Sequence, residues 1–291
     1  MFFLHALATR RKELTEQGDY EALKALPRVT AFERSFAPGG VWRSDRGNNG
    51  NTTSSSTNMY EGLWTNGPKE QMEFSDYTYD DHFKSPLPAY LPRQQVLEYI
   101  MARVTQHEDI FEHVHFDTTV QSVSYDDSTK QFIVKSQHLD GRTTTQYFDK
   151  CIWASGLHGV AKEVPQLEAK LSNFRGQIVH SSQMNNIGAS VKGKRILLVG
   201  GSYSAEDLAL QCIKLGAEKI YITSRNDEDV IRWTRSWPSD KVDVLWERVP
   251  CGTIDGTTIQ VCESKHDYQP TLRVEEGKYL FKKATFIFAP L

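Results

Sequence analysis

The run KRILLVGGSYSAEDLALQCIKLGAEKIYITSR, residues 194–225, limits the fold more than any other part of the chain. After Lys194 and Arg195 it is apolar from Ile196 to Val199, up to two glycines, as in a strand covered on both faces. Residues 204–217 carry apolar side chains at helical spacing and stop at Gly216, a residue suited to the left-handed turn that ends a helix. Residues 218–225 are β-rich again. Strand, glycine turn, helix and strand in so short a space make a parallel β-α-β unit, so an α/β fold with a Rossmann-like domain is expected.

The turn in this unit also carries chemistry. Dinucleotide-binding turns read G-x-G-x-x-G/A. Here the six positions are Gly200, Gly201, Ser202, Tyr203, Ser204 and Ala205. The first glycine permits a tight turn. Ser202 replaces the second glycine and is small enough for the backbone to approach a pyrophosphate. Ala205 lets the helix close on the sheet, and the helix N-terminus offers N–H groups to phosphate. An NAD site prefers an acid at the end of the next strand. Arg225 stands there instead, and its planar donors suit a 2′-phosphate, which favours NADPH over NADH. The plainer alternatives are a purely structural turn and a solvated Arg225.

Part of a second such unit lies near the start. Residues 2–17 have helical spacing closed by Gly18, and DYEALKAL (19–26) continues as a short helix before Pro27. RVTAFE (28–33) predicts a strand closed by Glu33, where a ribose-binding acid is expected. Gly39, Gly40 and Trp42 follow in a turn. By itself Glu33 is as readily an ordinary strand-end acid, and the strand and glycine turn that should precede helix 2–17 are not in this sequence. Residues 35–58 read as loop, with a low-complexity polar stretch at 44–58. A helix is predicted over 92–106, led by Pro92. Three strand-like runs (113–126, 131–137 and 144–155), joined by the turns DDSTK and LDGR, form a meander ending in an apolar strand, CIWAS.

Composition narrows the function. The 34 basic and 37 acidic residues of the 291 give a net charge of -3, which removes electrostatic support for nucleic-acid binding. No apolar run reaches the roughly 18 residues a membrane span needs. Cys151, Cys212, Cys251 and Cys262 are few and scattered, so free thiols and no zinc site are expected. The start MFFLHALATRRKEL has its charges after a short apolar stretch, unlike a secretory signal. The expected location is the cytoplasm or the cytoplasmic face of a membrane. His113 and His115 alternate on a strand without an evident third metal ligand. Trp233 and Trp237, with Arg232 before them and Arg235 between them, read as core or pocket aromatics, and Asp227, Glu228 and Asp229 as a solvated loop.

Four segments together resemble the flavin-containing monooxygenases, most closely the single-chain microbial and fungal type. They are FERSFAPGGVW (32–42), LWTNGPKEQMEF (63–74), FRGQIVHSSQM (174–184) and VGGSYSAED (199–207). The resemblance covers roughly residues 1–240. The family signature F-x-G-x-x-x-H-x-x-x-(Y/F) is met by Phe174, Gly176 and His180, with Met184 at the aromatic position. His180 reads more simply as a structural hydrogen-bonding residue.

The resemblance implies two dinucleotide-binding domains, with the NADPH domain inserted into a discontinuous FAD domain. Residues 1–155 would be a partial FAD domain, 157–285 the NADPH domain and 286–291 the start of a truncated return. Glu33 would bind the FAD ribose, with Gly39, Gly40 and Trp42 along the flavin nucleotide. Gly200, Gly201, Ser202, Tyr203, Ser204 and Ala205 would hold NADPH, with Arg225 on its 2′-phosphate. Asn66 and Tyr203 would serve the catalytic region, Asn66 at the flavin ring where oxygen reacts. Trp153, Ala154, Ser155 and Gly156 resemble the interdomain linker.

The implied activity is that of the trimethylamine- and dimethylaniline-oxidising monooxygenases. One atom of O2 would pass through a flavin C4a-hydroperoxide to a soft nucleophile, an amine nitrogen or a sulfide sulfur. Partners would be that small molecule and O2, with a homodimer left open. The departures at both ends imply a truncated or degraded form. Rival readings are a remnant binding only NADPH, a Baeyer–Villiger or N-hydroxylating relative, and an NADPH-only reductase.

Overall fold

The computed structural model describes residues 1–43, 59, 62–156, 165–181, 188–225, 238, 240–264, 280–282 and 286–289. It divides into two compact units, Met1–Thr57 with Gly67–Leu157, and Asn58–Asn66 with His158–Leu291.

In the first unit, helix α1 (Phe2–Gln17) buries Leu4, Leu7 and Leu14 on one face and ends at Gly18, whose φ of +69° favours glycine. Helix α2 (Tyr20–Ala25) starts at Asp19, whose carboxylate accepts the Ala22 N–H at 3.0 Å. Strand β1 is only Ala31–Phe32, shorter than the predicted 28–33 run. Helix α3 (Tyr79–Phe83) opens with a reciprocal Thr78–Asp81 cap. Helix α4 (Arg93–Val104) follows Pro92. Strand β2 (Val114–His115) pairs in parallel with β1. Asp117, at φ +52°, breaks the predicted 113–126 run in two. Its second part becomes β3 (Thr118–Asp126), which forms an antiparallel meander with β4 (Gln131–His138) and β5 (Thr143–Phe148). Two clusters make the core of this unit. One gathers Leu4, Val104 and Ile110, and the other Tyr79, Leu91, Val96 and Tyr99.

One expected strand is absent. Residues 151–154 carry no ladder, and Ile152 and Trp153 are 63% and 74% exposed. Apolar composition favours a strand only where a neighbour supplies backbone partners and cover. No described strand pairs with this segment.

The second unit is α/β. It contains α5 (Pro165–Lys170), β6 (Gln177–His180), α6 (Gly188–Val191), β7 (Arg195–Val199), α7 (Tyr203–Lys214), β8 (Lys219–Thr223) and β9 (Val242–Leu245). Strands β10 (Arg248–Ile254), β11 (Thr258–Glu263) and β12 (Leu280–Lys282) form a separate antiparallel sheet, and β13 (Phe286–Ala289) returns to the main one. The main sheet is parallel throughout, in the order β6-β13-β7-β8-β9. Residues 286–289, assigned by resemblance to a return segment, thus lie between β6 and β7.

Alternation along β7 covers both faces of this sheet. Ile196 and Leu198 pack with Leu208, Ala209 and Cys212 of α7, while Leu197 packs with Leu167, Leu171, Ile259 and Val261. Ala217 N–H bonds to the Cys212 carbonyl around Gly216 (φ +82°), closing α7 as its sequence suggests.

The cysteine expectation needs correction. Cys251 and Cys262 are disulfide-bonded, with Cα atoms 5.9 Å apart. The β10–β11 hairpin brings together positions that look scattered in the chain. Cys151 and Cys212 are free, the first exposed and the second buried. No described helix is long and apolar enough to cross a membrane.

Candidate functional site

The glycine turn of the second unit lies at the carboxyl end of the parallel sheet, where α/β folds bind ligands. Gly200 has φ +117°, a conformation open to glycine, and its N–H donates to the Thr223 carbonyl at 3.0 Å. That bond fastens the turn after β7 to the end of β8. Ser202 is the N-cap of α7 with extended backbone, and its hydroxyl makes no capping bond. No side chain therefore competes for the helix N-terminus at that position. Ala205 is buried against the sheet, whereas Tyr203 is 68% exposed at the helix entrance. Arg225 is exposed two residues beyond Thr223, at the same sheet end.

Asn66 ends the segment 62–66, which groups with the second unit, whereas Gly67 and the residues after it group with the first. Asn66 is exposed, the neighbouring Thr65 is buried, and Leu63 packs against the α7 core.

The first unit carries the other candidate residues. Glu33 follows β1, and its main chain extends the ladder through His115 and Thr118. One carboxylate oxygen accepts the Ser35 N–H at 2.7 Å. Gly39 (φ +126°) and Gly40 (φ +53°) lead into a single 3-10 turn, Gly40–Trp42. That turn is moulded on α4. A Cβ on Gly39 would stand 2.7 Å from Leu97 Cδ1, and the buried Arg93 guanidinium donates to the Trp42 carbonyl. Arg43 Nε closes the loop on the Pro38 carbonyl at 2.7 Å. A Cβ on Gly40 meets nothing within 4 Å, so the other side of the turn is open. Trp42 packs on the Tyr79–Tyr99 cluster.

Other charged and polar groups in this unit have structural partners. Arg103 grips both carboxylate oxygens of Asp76, holding that acid below its ordinary range. Burial, together with the nearby Arg103, lowers the His5 imidazole, and a bond to Gln106 partly opposes that. Burial pushes the Tyr79 phenol up to about 12. None of these groups resembles a poised acid or base.

The structure thus brings the Gly200–Ala205 turn and Arg225 to one sheet end, and Gly39, Gly40 and Trp42 into one loop. Phe174 of the signature segment is a core residue beside Leu171 and Val261, and His180 ends β6. Met184, Asp227, Glu228, Asp229, Arg232, Trp233, Arg235 and Trp237 lie outside the described residues, as do residues 44–58. Sequence reasoning missed Arg93 and Leu97, because no local pattern marks a buried guanidinium or a helix side chain on which a distant glycine turn is moulded.

Comparison with known proteins bears on the family. Residues 24–250 match the family model described as flavin-binding monooxygenase-like. A trimethylamine monooxygenase of Methylocella silvestris is 37% identical over 207 residues, covering 69% of this chain and 45% of that protein. The trimethylamine monooxygenase of Roseovarius nubinhibens is 36% identical over 217 residues, 73% of this chain and 47% of its own length. The crystal structure of Tmm from Pelagibacter sp. strain HTCC7211 superposes with a TM-score of 0.74 at 27% identity, over 99% of this chain and 59% of that one. The chain spans about half the length of the curated relatives it matches.

Proposed function

The chain belongs to the flavin-binding monooxygenase-like family, and from that premise we propose that it works as an FAD- and NADPH-dependent monooxygenase. Its substrate would be a soft nucleophile, a small tertiary amine first and a sulfide second. The amine is preferred because relatives 37% and 36% identical to this chain are named for trimethylamine. The observation that carries the reading is the β7–turn–α7–β8 unit. There Gly200 is locked to Thr223, the Ser202 hydroxyl makes no cap bond at the helix start, and Arg225 stands at the same sheet end.

The residues present fit both nucleotides. In the second unit, the main chain of Gly200–Ala205 would face the NADPH pyrophosphate, and Arg225 would pair with its 2′-phosphate. In the first unit, Glu33 keeps one oxygen beyond its Ser35 bond for a ribose hydroxyl. The open side of Gly40 would let a flat nucleotide lie along the turn, beside Trp42. When bound, FAD supplies the redox chemistry, taking two electrons from NADPH and activating O2.

The protein supplies binding and orientation. Asn66 is a neutral amide that donates and accepts hydrogen bonds without titrating, which suits a reacting oxygen whose charge changes. Tyr203, exposed at the helix entrance, would cover the dinucleotide and help to exclude water. We take the first unit as the FAD domain and the second as the NADPH domain.

The test is the visible spectrum of the purified chain after incubation with FAD. Bound-flavin bands that bleach on anaerobic NADPH addition, followed by N-oxide formation from trimethylamine in air, are the expected result. A colourless protein that still binds NADP+ refutes the monooxygenase reading. Asn66→Ala should keep the bleaching and lose the N-oxide, and a normal N-oxide rate would remove Asn66 from the mechanism.

A further inference from the structure

Residues 62–66 are held on α7 by three separate contacts. The Gln211 side-chain amide donates to the Gly62 carbonyl. The Lys214 ammonium lies 5.8 Å from the centre of the Trp64 ring, within reach of a cation–π attraction. Leu63 packs against the cluster that contains Leu208 and Cys212. Gln211 and Lys214 are three residues apart, so they share one face of the helix. The fit is close, because a Cβ on Gly62 would stand 2.6 Å from Gln211 Oε1.

The same helix opens at Tyr203, directly after Gly200, Gly201 and Ser202. Gln211 lies about 12 Å further along its axis at 1.5 Å per residue. One helix therefore carries the dinucleotide turn at its start and grips the segment leading to Asn66 near its end.

We propose that Gln211 is a positioning residue for Asn66. It ties residues 62–66 to α7, so that occupation of the Gly200–Ala205 turn and order in the Asn66 segment are coupled through the helix. The coupling rests on the dinucleotide and Asn66 roles proposed above, while the tie itself does not. Such a device would hold the reacting region more firmly while the dinucleotide is in place.

Hydrogen–deuterium exchange of residues 62–66, with and without NADP+, tests both parts. In ligand-free protein, Gln211→Leu should raise exchange about 5- to 10-fold, the effect of losing one hydrogen bond. Gly62→Ala displaces the same amide from the other side and should act alike. The double variant should add little to either, since both remove one interaction. NADP+ should slow exchange of 62–66 in the unsubstituted protein and lose that effect in Gln211→Leu when both are saturated with NADP+. Unaltered ligand-free exchange in both single variants overturns the tie. An undiminished NADP+ effect in Gln211→Leu overturns the coupling. If the unsubstituted protein binds no NADP+, the dinucleotide reading and the coupling fail together, and the ligand-free comparison still decides the tie.

Discussion

Replacing Gly39 by alanine isolates how the Gly39–Trp42 turn is shaped. Two separate penalties follow from its geometry. Its backbone, at φ +126° and ψ −16°, lies where side chains are rarely tolerated, and holding alanine there costs about 1–3 kcal/mol. The new Cβ would also come within 2.7 Å of Leu97 Cδ1. Leu97 is only half-buried and can turn away, which at off-rotamer cost adds about 0.5–1.5 kcal/mol. The expected loss is about 1.5–4.5 kcal/mol, read from the urea unfolding midpoint at constant slope. In a Leu97→Ala background the steric part disappears, so the penalty should fall by about 1 kcal/mol while the backbone part remains. FAD affinity should fall together with stability if the turn carries the flavin nucleotide. A Gly39→Ala protein within about 0.5 kcal/mol of the parent would refute the backbone argument, and an equal penalty in both backgrounds would refute the contact with Leu97.

Three other outcomes are expected. Arg225→Ala should weaken NADP+ binding about 10- to 100-fold, the loss of one charge-assisted contact, and leave NAD+ binding nearly unchanged; equal effects on both dinucleotides would place Arg225 off the 2′-phosphate. Iodoacetamide applied to the native, unreduced protein should label Cys151 alone. Burial drives the Cys212 thiol up to about 12, and Cys251 and Cys262 are paired, so mass spectrometry showing rapid Cys212 labelling would contradict its burial. Stability should fall as pH drops below about 6.5, because the unfolded chain then takes up a proton that the lowered His5 imidazole refuses in the fold. His5→Gln should flatten urea midpoints measured between pH 7.5 and 5.5, and an unchanged slope would clear His5.

The parts legible in the sequence are those whose signals are local. Strand β7, its glycine turn, α7 and Gly216 declare themselves through period and turn residues within a few positions of one another. The same holds for Gly18, for the Asp19 cap and for the meander with its two turns. The rest depends on distant partners. Ile152 and Trp153 are apolar enough for a strand, yet no described strand runs beside them. Cys251 and Cys262 pair only because a hairpin folds one position over the other. The short segment before Gly67 looks continuous with the aromatic stretch that follows, but Leu63, Trp64 and Gly62 are claimed by a helix some 150 positions downstream. Arg93 shows no sequence sign of burial, since the carbonyl it serves belongs to Trp42.

The order of strands in the main sheet has a consequence for how the protein is made. Strands β6 and β7 are not neighbours; β13 lies between them and pairs with both. At about 5–20 residues per second, a ribosome needs on the order of ten seconds to travel from Val199 to Ala289. Throughout that interval β7 exposes a bare apolar edge with its rightful neighbour not yet synthesised. Direct β6–β7 pairing in the nascent chain would form a plausible but wrong sheet that must open before β13 can enter. Newly made chains should therefore depend on chaperones that shield such edges until Phe286–Ala289 has emerged.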